Sequence, residues 1–434
     1  MRFSLDAVLA IGLAAAGLAA PALAGWVPES TFQSDLIASH ALVHQTAAFA
    51  DGSLKKALAA QGVSTSCKPW EVRIRREYAT LSNAEKREYI RAGKPTYEQT
   101  RRVKCLMDAP SRIPEGVAPG AKSRYDDFVA VHINQTLTIH FTGNFLSWHR
   151  YYIHAFESAL RDECRFTGSL PYWNWAKSAQ DPLNSPYFDG SPLSQGGNGE
   201  WAPHDCSRPG SITAACISPV VEGRGGGCVT SGPYVGYQAN LSTVELWFNY
   251  PNEVGPGGPW MGYQPRCMRR DIMPEYTQKW ARETRLLELF NTTNGSPLGH
   301  IAEWQLALQG GTQQHPVGHF TYGGDPGGDI YTSPNELSQK LTLNLPQLIP
   351  MFWLHHSMLD RVWWMWQNQD RAATTERLFQ IGGTRTKRND PPSDPATLED
   401  VLDMGYATPL KGGVTVGIKH HVSTVAGPYC YVYL

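Results

Sequence analysis

Histidine is the residue type in this sequence whose spacing most strongly indicates metal chemistry, because neutral imidazole is the commonest metal ligand in proteins. Among the 14 histidines, His315 and His319 lie four residues apart. On a helix, that spacing places both imidazoles on one face, one turn apart, which suits the binding of a single metal ion. His40 and His44 share the spacing, and we do not expect them to bind metal. The spacing alone is therefore a weak indication, and the surrounding sequence has to separate ligands from packing residues.

Four further histidines complete the candidate set. His132, His140 and His149 fall within one short block of the chain, and His356 lies in a later apolar stretch, followed four residues on by Asp360. A lone histidine among aromatic residues is more often a hydrogen-bonded core residue than a metal ligand. Each of these four therefore needs support from the local sequence.

Apolar periodicity predicts the elements that would carry these residues. The clearest helical segments are 143–164 and 350–369, and Pro350 suits the first turn of the second segment. Residues 176–270 are rich in glycine and proline and contain four cysteines, so we expect loops tied together by disulfides. The tail at 414–434 predicts a short strand. Further helices are predicted at 31–60, 69–92, 123–136 and 271–290.

The composition indicates a folded protein without a strongly charged surface. Lys and Arg number 38, and Asp and Glu number 39, so the net charge is close to zero. This balance gives no basic footprint for nucleic acid and no polybasic patch for a membrane surface. Aromatic residues make up 11% of the chain, which argues against disorder. With 434 residues, one large domain or two or three ordinary domains would fit the length.

The N-terminus has the pattern of a secretory signal peptide. Arg2 supplies a positive charge, residues 7–20 are almost purely apolar, and Ala22-Leu23-Ala24 fits a cleavage site with small residues. We therefore expect residues 1–24 to be removed and the mature chain to begin near Gly25. No later segment is long and apolar enough to span a bilayer, so no membrane contact is expected after cleavage.

The cysteines and sequons are consistent with secretion. Eight cysteines follow the signal peptide, and an even number in an exported protein predicts disulfides, whose pairing the sequence leaves open. We expect Asn134 to be too buried for glycosylation, because it lies two residues after a candidate ligand. The four sequons begin at Asn134, Asn240, Asn291 and Asn294.

Three segments resemble the tyrosinase and catechol oxidase family of binuclear copper proteins. The first-copper signature of that family is matched by His140 and by 145–150, which reads Phe-Leu-Ser-Trp-His-Arg. The second-copper signature is matched by 350–356, which reads Pro-Met-Phe-Trp-Leu-His-His and is followed by an aspartate at the family spacing. The strip 170–175 is similar to the family's PYWDW element, with asparagine in place of aspartate. The resemblance covers roughly residues 120–370.

The resemblance implies a mainly α-helical fold with few short strands, in which a central four-helix bundle holds two copper ions. Each copper would receive three imidazoles, with one ligand of the first copper supplied by a loop between two helices. The implied ligands of the first copper are His132, His140 and His149. The implied ligands of the second copper are His315, His319 and His356.

The same resemblance assigns roles to several neighbours of the ligands. The family spacing to Asp360 selects His356 as the ligand, and His355 would then support a ligand or pack in the core. Asp360 and Arg150 would either orient ligands or form an ordinary ion pair between helices. Phe352 lies one turn before His356, so its ring is expected to pack over the copper pocket.

Departures from the family pattern bear on the choice of substrate. Good monophenol hydroxylases of the family commonly place an asparagine directly after the first ligand of the second copper, near a glutamate that holds a water. Here that position is Pro316, which has no side-chain amide and no backbone N–H, and the nearest upstream glutamate is Glu303. Pro316 and Phe320 are the best candidates for lining the substrate entrance, and core packing is the alternative role for Phe320. Thr138 stands where some members carry a cysteine bonded to a ligand, so no thioether is expected.

These observations predict a secreted polyphenol oxidase that uses O2 and two copper ions to oxidise o-diphenols to o-quinones. Catechols are the expected substrates, with o-aminophenols and methoxyphenols as further candidates. Residues 25–434 would form a single catalytic domain without a C-terminal shielding domain, because Tyr429-Cys430-Tyr431 resembles the motif that ends this domain in the family.

Three alternative functions stay open. A tyrosinase with appreciable monophenol hydroxylation is the nearest, and an oxygen carrier resembling haemocyanin is more remote. A zinc hydrolase is disfavoured, because no HExxH or GxSxG motif occurs in the sequence and neither implied ligand trio contains a carboxylate.

Overall fold

A computed structural model gives the fold of most of the chain. The predicted signal peptide at 1–24 lies outside the described residues, as do Cys206, Cys216, Asn291 and Asn294. The described residues are 32–90, 103–202, 225–242, 254–255, 258–259, 261–272, 274–290, 299–310, 313–323, 350–408 and 417–434.

About half of the described residues lie in helices, and the strands are few and short, as expected for the predicted helical fold. Each strand pairs with one other strand, so the strands form two-stranded ribbons. The helices are α1 (Gln33–Ala50), α2 (Ser53–Ala60), α3 (Asn83–Ile90), α4 (Val103–Asp108), α5 (Arg124–Ile139), α6 (Phe145–Asp162), α7 (Trp175–Ser178), α8 (Pro274–Trp280), α9 (Glu283–Leu287), α10 (Ile301–Gln309), α11 (Gln314–Gly323), α12 (Met351–Gln367) and α13 (Ala373–Glu376). The strands are β1 (Arg73–Arg75), β2 (Gly199–Trp201), β3 (Gly226–Val229), β4 (Gln238–Leu241), β5 (Val254–Gly255), β6 (Gly258–Pro259), β7 (Tyr263–Cys267) and β8 (Tyr431–Tyr433).

Helices α5, α6, α11 and α12 carry five of the six candidate ligands. Their sequences explain where three of these helices begin. Helix α5 begins with a capping box, in which Ser123 and Asp126 each accept a hydrogen bond from the other's backbone amide. Helix α11 begins at Gln314, so Pro316 lies in its first turn, where no helical hydrogen bond is lost. Helix α12 follows Pro350 and is buried along its whole length. Helix α12 packs against both α6 and α11, and α5 packs against α6.

The helix predicted over 69–92 is mostly wrong. Among the described residues of this stretch, Asn83–Ile90 alone forms an α-helix, whereas Arg73–Arg75 is strand β1, which pairs in parallel with β8 near the C-terminus. Strand formation depends on a partner strand, and local periodicity cannot reveal a partner at the far end of the chain. The helix predicted over 31–60 is confirmed but broken at Gly52, whose φ of 77° is incompatible with a continuous helix.

The predicted strand in the tail is confirmed as β8. A disulfide fastens the residue before this strand to the segment after α2, and two further disulfides tie other segments together. The described disulfides join Cys67 to Cys430, Cys105 to Cys164, and Cys228 to Cys267.

The region 176–270 was predicted to consist of loops, but it contains several short strands. Strands β2 and β3 form one antiparallel ribbon and β4 and β7 form another, and a disulfide joins β3 to β7. Such short pairs, rich in glycine, have little alternating pattern for a sequence to display. In the described part of the chain, no helix is both long and apolar enough to cross a membrane.

The expectation that Asn134 is buried is wrong. Its side chain is exposed, whereas the side chain of His132 on the same helix is 2% exposed. Two residues correspond to about 200° around a helix, so Asn134 points away from the face that carries the histidine.

Candidate metal centre

The first group of histidines lies where α5 meets α6. His132 is within α5, His149 is within α6, and His140 directly follows the last residue of α5. All three side chains are at most 5% exposed, and one ring nitrogen from each lies within 4.8 Å of the other two. The Nε2 atoms of His132 and His149 are 3.3 Å apart. These three residues form what we call the first trio, a set of imidazoles that converges on a single point.

The second group combines α11 and α12. His315 and His319 lie one turn apart on α11, as their spacing predicts, and His356 faces them from α12. Their candidate ligand nitrogens also lie within 4.8 Å of one another, and the side chains are at most 1% exposed. The Nε2 atom of His319 lies 3.1 Å from that of His315 and 3.2 Å from that of His356. These residues form the second trio.

The two trios share one pocket. The rings of His149 and His356 stack with their centroids 4.6 Å apart and their planes 15° apart. The rings of His140 and His315 stack across the same boundary with centroids 5.7 Å apart. Each pair takes one ring from either trio, so two ions bound by the trios would be neighbours.

In His140 and His149, a hydrogen bond at Nδ1 determines which ring nitrogen presents its lone pair to the pocket. The Nδ1 atom of His140 lies 3.0 Å from the carbonyl oxygen of Thr136, and that of His149 lies 2.7 Å from the carbonyl of Phe145. A carbonyl oxygen only accepts, so each Nδ1 carries the proton and each Nε2 presents a lone pair. The Nε2 atom of His140 is buried and has no hydrogen-bond partner among the described residues. A bound cation would satisfy this lone pair.

Burial keeps these imidazoles neutral. It is the largest cause of the lowered pKa at every residue of both trios, and it lowers the pKa of His140 to about 3. The neutral form is the one that binds metal. Six nitrogen donors without a carboxylate in either trio suit copper. The residues present therefore fit a pair of copper ions.

His355 is held by bonds that exclude it from the ligand set. Its Nδ1 accepts a hydrogen bond from the indole N–H of Trp175 at 3.0 Å, and its Nε2 donates to the carbonyl oxygen of His315 at 3.0 Å. Both ring nitrogens are therefore occupied. The imidazole crosses α11 at Gly318, where a Cβ atom would overlap the ring. The choice of His356 over His355 agrees with this geometry, and His355 supports the backbone of a ligand.

Asp360 and Arg150 form an ion pair between α12 and α6, one of the two roles expected. The Nε atom of Arg150 lies 2.6 Å from Oδ1 of Asp360, and both side chains are at most 3% exposed. The other carboxylate oxygen accepts hydrogen bonds from the hydroxyls of Tyr431 and Tyr433 at 2.6 and 2.5 Å. Arg75 of β1 also contacts this carboxylate at 3.4 Å. The pair thus joins two ligand helices to the C-terminal strand.

The ring of Phe352 packs between the trios, as the sequence predicts. Its centroid lies 4.1 Å from that of His356, 5.6 Å from that of His132 and 5.9 Å from that of His319. The phenyl ring is fully buried. It forms an apolar wall that shields the histidines of both trios from water.

The other residues proposed for the substrate side are placed differently. Pro316 is buried in the first turn of α11, next to His315. Glu303 is exposed on α10, and a carboxylate in that position is poorly placed to hold a water inside a buried pocket. The side chain of Phe320 lies outside the described residues. The hydroxyl of Thr138 donates a hydrogen bond to the carbonyl of Gln135 at 2.9 Å.

Several residues near the site were missed by the sequence interpretation. Gln309 on α10 accepts a hydrogen bond from the amide of Phe141, the residue after His140, at 2.7 Å. Gln305, one turn earlier, donates to the carbonyl of Thr142 at 3.3 Å. A pair of glutamines four residues apart is the only local signal. Nothing in that signal points to a turn more than 160 residues upstream.

A buried pair of histidine trios, five members of which lie on four helices, defines the class of type 3 binuclear copper proteins. The comparisons agree: a model of the common central domain of tyrosinase matches residues 122–369. The tyrosinase-like protein orsC of Emericella nidulans is 35% identical over 348 residues, covering 77% of this chain and 83% of the relative. The N-acetyl-6-hydroxytryptophan oxidase ivoB of the same organism is 32% identical over 381 residues, covering 85% of this chain and 93% of the relative.

A solved structure of a polyphenol oxidase also matches this chain. A single-substitution mutant of a polyphenol oxidase from Thermothelomyces thermophila superposes with a TM-score of 0.72 and 38% identity, covering 92% of this chain and 97% of that one. The chain belongs to the tyrosinase family. It is a copper-dependent oxidoreductase whose two histidine trios hold a binuclear copper centre.

Proposed function

We propose that the protein is a secreted polyphenol oxidase that oxidises o-diphenols to o-quinones with O2 as the electron acceptor. Catechols are the expected substrates, and o-aminophenols and methoxyphenols are further candidates. When bound, the copper ions supply the redox chemistry between the phenol and oxygen. The protein contributes neutral imidazoles, two of which (His140 and His149) are held in one tautomer by hydrogen bonds, and an aromatic wall, chiefly Phe352, that excludes water from the pocket.

Pro316 is the single observation that most favours o-diphenols over monophenols. A monophenol has to lose its phenolic proton and then be hydroxylated, so it benefits from a polar group that positions a water or the phenol. Proline offers neither a side-chain amide nor a backbone N–H at the position after His315. Glu303 is exposed and gives no compensating carboxylate in the pocket. An o-diphenol already carries both oxygens and needs no such group.

Secretion and the detailed architecture are part of the same proposal. The apolar leader at 1–24 and the three described disulfides support an exported protein, since disulfides persist in oxidising compartments. The packing of α12 on α6 and α11, and of α5 on α6, supports a four-helix bundle around the coppers. Sequencing the N-terminus of protein recovered from a culture medium tests the export, and a start near residue 25 is expected.

The substrate proposal is tested by initial rates of copper-loaded enzyme. O2 uptake and quinone absorbance are recorded with catechol and with 4-substituted monophenols such as tyramine. A 6-hydroxylated N-acetyltryptophan belongs in the panel, because the relative ivoB is named as an oxidase of that compound. We expect immediate turnover of catechol and little turnover of tyramine. A lag followed by rapid turnover of tyramine would identify a tyrosinase, and O2 binding without quinone formation would identify an oxygen carrier.

A further inference from the structure

The turn that carries His140 is the least regular part of the metal centre. His140 ends α5 with an extended backbone at φ −122° and ψ 139°, whereas the other five ligands lie within helices. The next residue, Phe141, has φ of 52°, a left-handed conformation that bulky residues rarely adopt. Such a backbone persists only where surrounding groups hold it in place.

Two glutamines of α10 hold this turn from one side. The Oε1 atom of Gln309 accepts a hydrogen bond from the amide of Phe141 at 2.7 Å, and the side chain of Gln309 is 1% exposed. Gln305 lies one turn earlier, and its Nε2 donates to the carbonyl oxygens of Gly382 at 2.5 Å and Thr142 at 3.3 Å. The bonds to Phe141 and Thr142 are buried, so removing either glutamine would leave a buried backbone group without its hydrogen-bond partner.

The segment around residues 382–396 holds the turn from the other side. The carbonyl of Phe141 accepts a hydrogen bond from the amide of Arg388 at 3.2 Å, and the amide of Gly143 donates to the carbonyl of Thr384 at 2.9 Å. A Cβ atom at Gly143 would overlap the side chain of Ala396, so the two segments are in close contact. Both backbone polar groups of Phe141 are therefore satisfied, the amide by Gln309 alone among the described residues.

Gln309 also connects the turn to the second trio. It lies six residues before His315, at the end of α10, which packs against α11. The rings of His140 and His315 stack at 5.7 Å. A shift of the turn relative to α11 would therefore change the position of a first-trio ligand relative to the second trio.

We propose that Gln309 is a positioning residue of the first copper site, which fixes His140 through the amide of Phe141. Its loss weakens copper binding by the first trio and leaves binding by the second trio intact. Substitution of groups that orient a metal ligand commonly costs about ten- to a hundredfold in metal affinity. We expect a loss of about tenfold here, because His140 keeps its own bond to Thr136.

The test compares copper binding by Gln309→Met, which keeps the side-chain length but lacks the acceptor, with Gln45→Met. Gln45 is a matched control, since it is also buried and bonded to Trp364 and Thr424 at 2.9 and 3.1 Å, away from the ligands. Full-length protein is loaded with copper and equilibrated against a competing chelator, and copper per chain is measured. Electron paramagnetic resonance distinguishes a lone Cu(II) ion, which gives a signal, from a coupled pair, which gives none.

We expect Gln309→Met to release one copper at about tenfold lower chelator concentration than the wild-type protein and to develop the signal of a lone Cu(II). Gln45→Met should keep a coupled pair even if its unfolding temperature falls. Gln309→Glu retains an acceptor for the Phe141 amide and should bind both coppers nearly as tightly as the wild type. Gln309→Leu, which also lacks the acceptor, replaces the methionine variant if that variant fails to fold. Equal loss of both coppers, wild-type binding by Gln309→Met, or the same loss in Gln45→Met would overturn the proposal.

Discussion

Arg150 on α6 and Asp360 on α12 form a buried ion pair whose Nε and Oδ1 atoms lie 2.6 Å apart. Arg150 directly follows the ligand His149, and Asp360 lies one turn after the ligand His356. The pair therefore sets the separation of two helices that carry ligands of different trios. Two tyrosines of β8 donate to the same carboxylate, so the C-terminal strand is anchored at this point as well.

Removing the charge of Asp360 should destabilise the protein strongly. Asp360→Asn leaves Arg150 and Arg75 buried with one carboxylate fewer, and breaking a buried pair from one side typically costs about 3–5 kcal/mol. We expect a drop of about 3 kcal/mol in the free energy of unfolding, measured by urea denaturation of the copper-free protein. Asp394→Asn, in an exposed pair with Arg385, is the control and should change stability little. Similar effects of the two substitutions would contradict this role.

The adjacent histidines of α12 should respond differently to the same substitution. His356→Gln removes a ligand and is expected to leave one copper per chain. His355→Gln breaks the bonds to Trp175 and His315 and should lower the free energy of unfolding by about 1–3 kcal/mol, while two coppers are retained. Metal analysis together with thermal unfolding separates the two effects. Loss of one copper from His355→Gln, with full loading of His356→Gln, would reverse the ligand assignment.

Much of the metal centre was predictable because its ligands lie in local patterns. The spacing of His315 and His319 requires only helical geometry, and the resemblance to the family supplied the remaining ligands. Asn174 departs from the family aspartate, yet its side chain accepts from the amide of Ala176 at 3.2 Å and caps α7 as an aspartate would.

What could not be predicted depends on contacts between distant parts of the chain. Strand β1 forms because it pairs with β8 at the far end of the chain. The local periodicity of 69–92 gives no sign of this partner strand and by itself favours a helix. Gln309 gains its role from the amide of Phe141, 168 residues away. Glu303 is exposed because of the way α10 packs. The number of residues between Glu303 and His315 does not reveal that packing.

Introducing an amide beside His315 should increase monophenol oxidation. Pro316→Asn restores the residue type that accompanies hydroxylation in the family, and position 316 lies in the first turn of α11, where the new N–H needs no helical partner. We expect the ratio of tyramine to catechol turnover to rise about tenfold, part of the ~100-fold that general-base catalysis commonly supplies. Pro316→Ala is the matched control, because it removes the ring without adding an amide. An equal rise in both variants would indicate that relief of crowding, and not the amide, controls the ratio.

A buried carboxylate away from the coppers should make stability depend on pH. Burial raises the pKa of Glu77 from 4.5 to about 7, against the opposing effect of Lys177 and Lys86. The folded state binds the proton of Glu77 more tightly than the unfolded state does. The stabilisation that this proton provides is therefore full below pH 4.5 and is lost as the pH rises through 7. In the wild-type protein, this effect should lower the free energy of unfolding by about 3 kcal/mol between pH 4.5 and 8, and Glu77→Gln should abolish that decrease. Urea denaturation at each pH measures it. Parallel stability curves for the two proteins would rule out this contribution of Glu77.

The central claim, that two coppers held by the six histidines carry out oxidation of an o-diphenol, is tested most directly by titrating copper-free protein with copper. Quinone formation from catechol and O2 uptake are measured at each addition. We predict that activity rises to a plateau at two coppers per chain, with two quinones formed for each O2 consumed. A plateau at one copper per chain, or a protein purified with two zinc ions that stays inactive after copper loading, would contradict it.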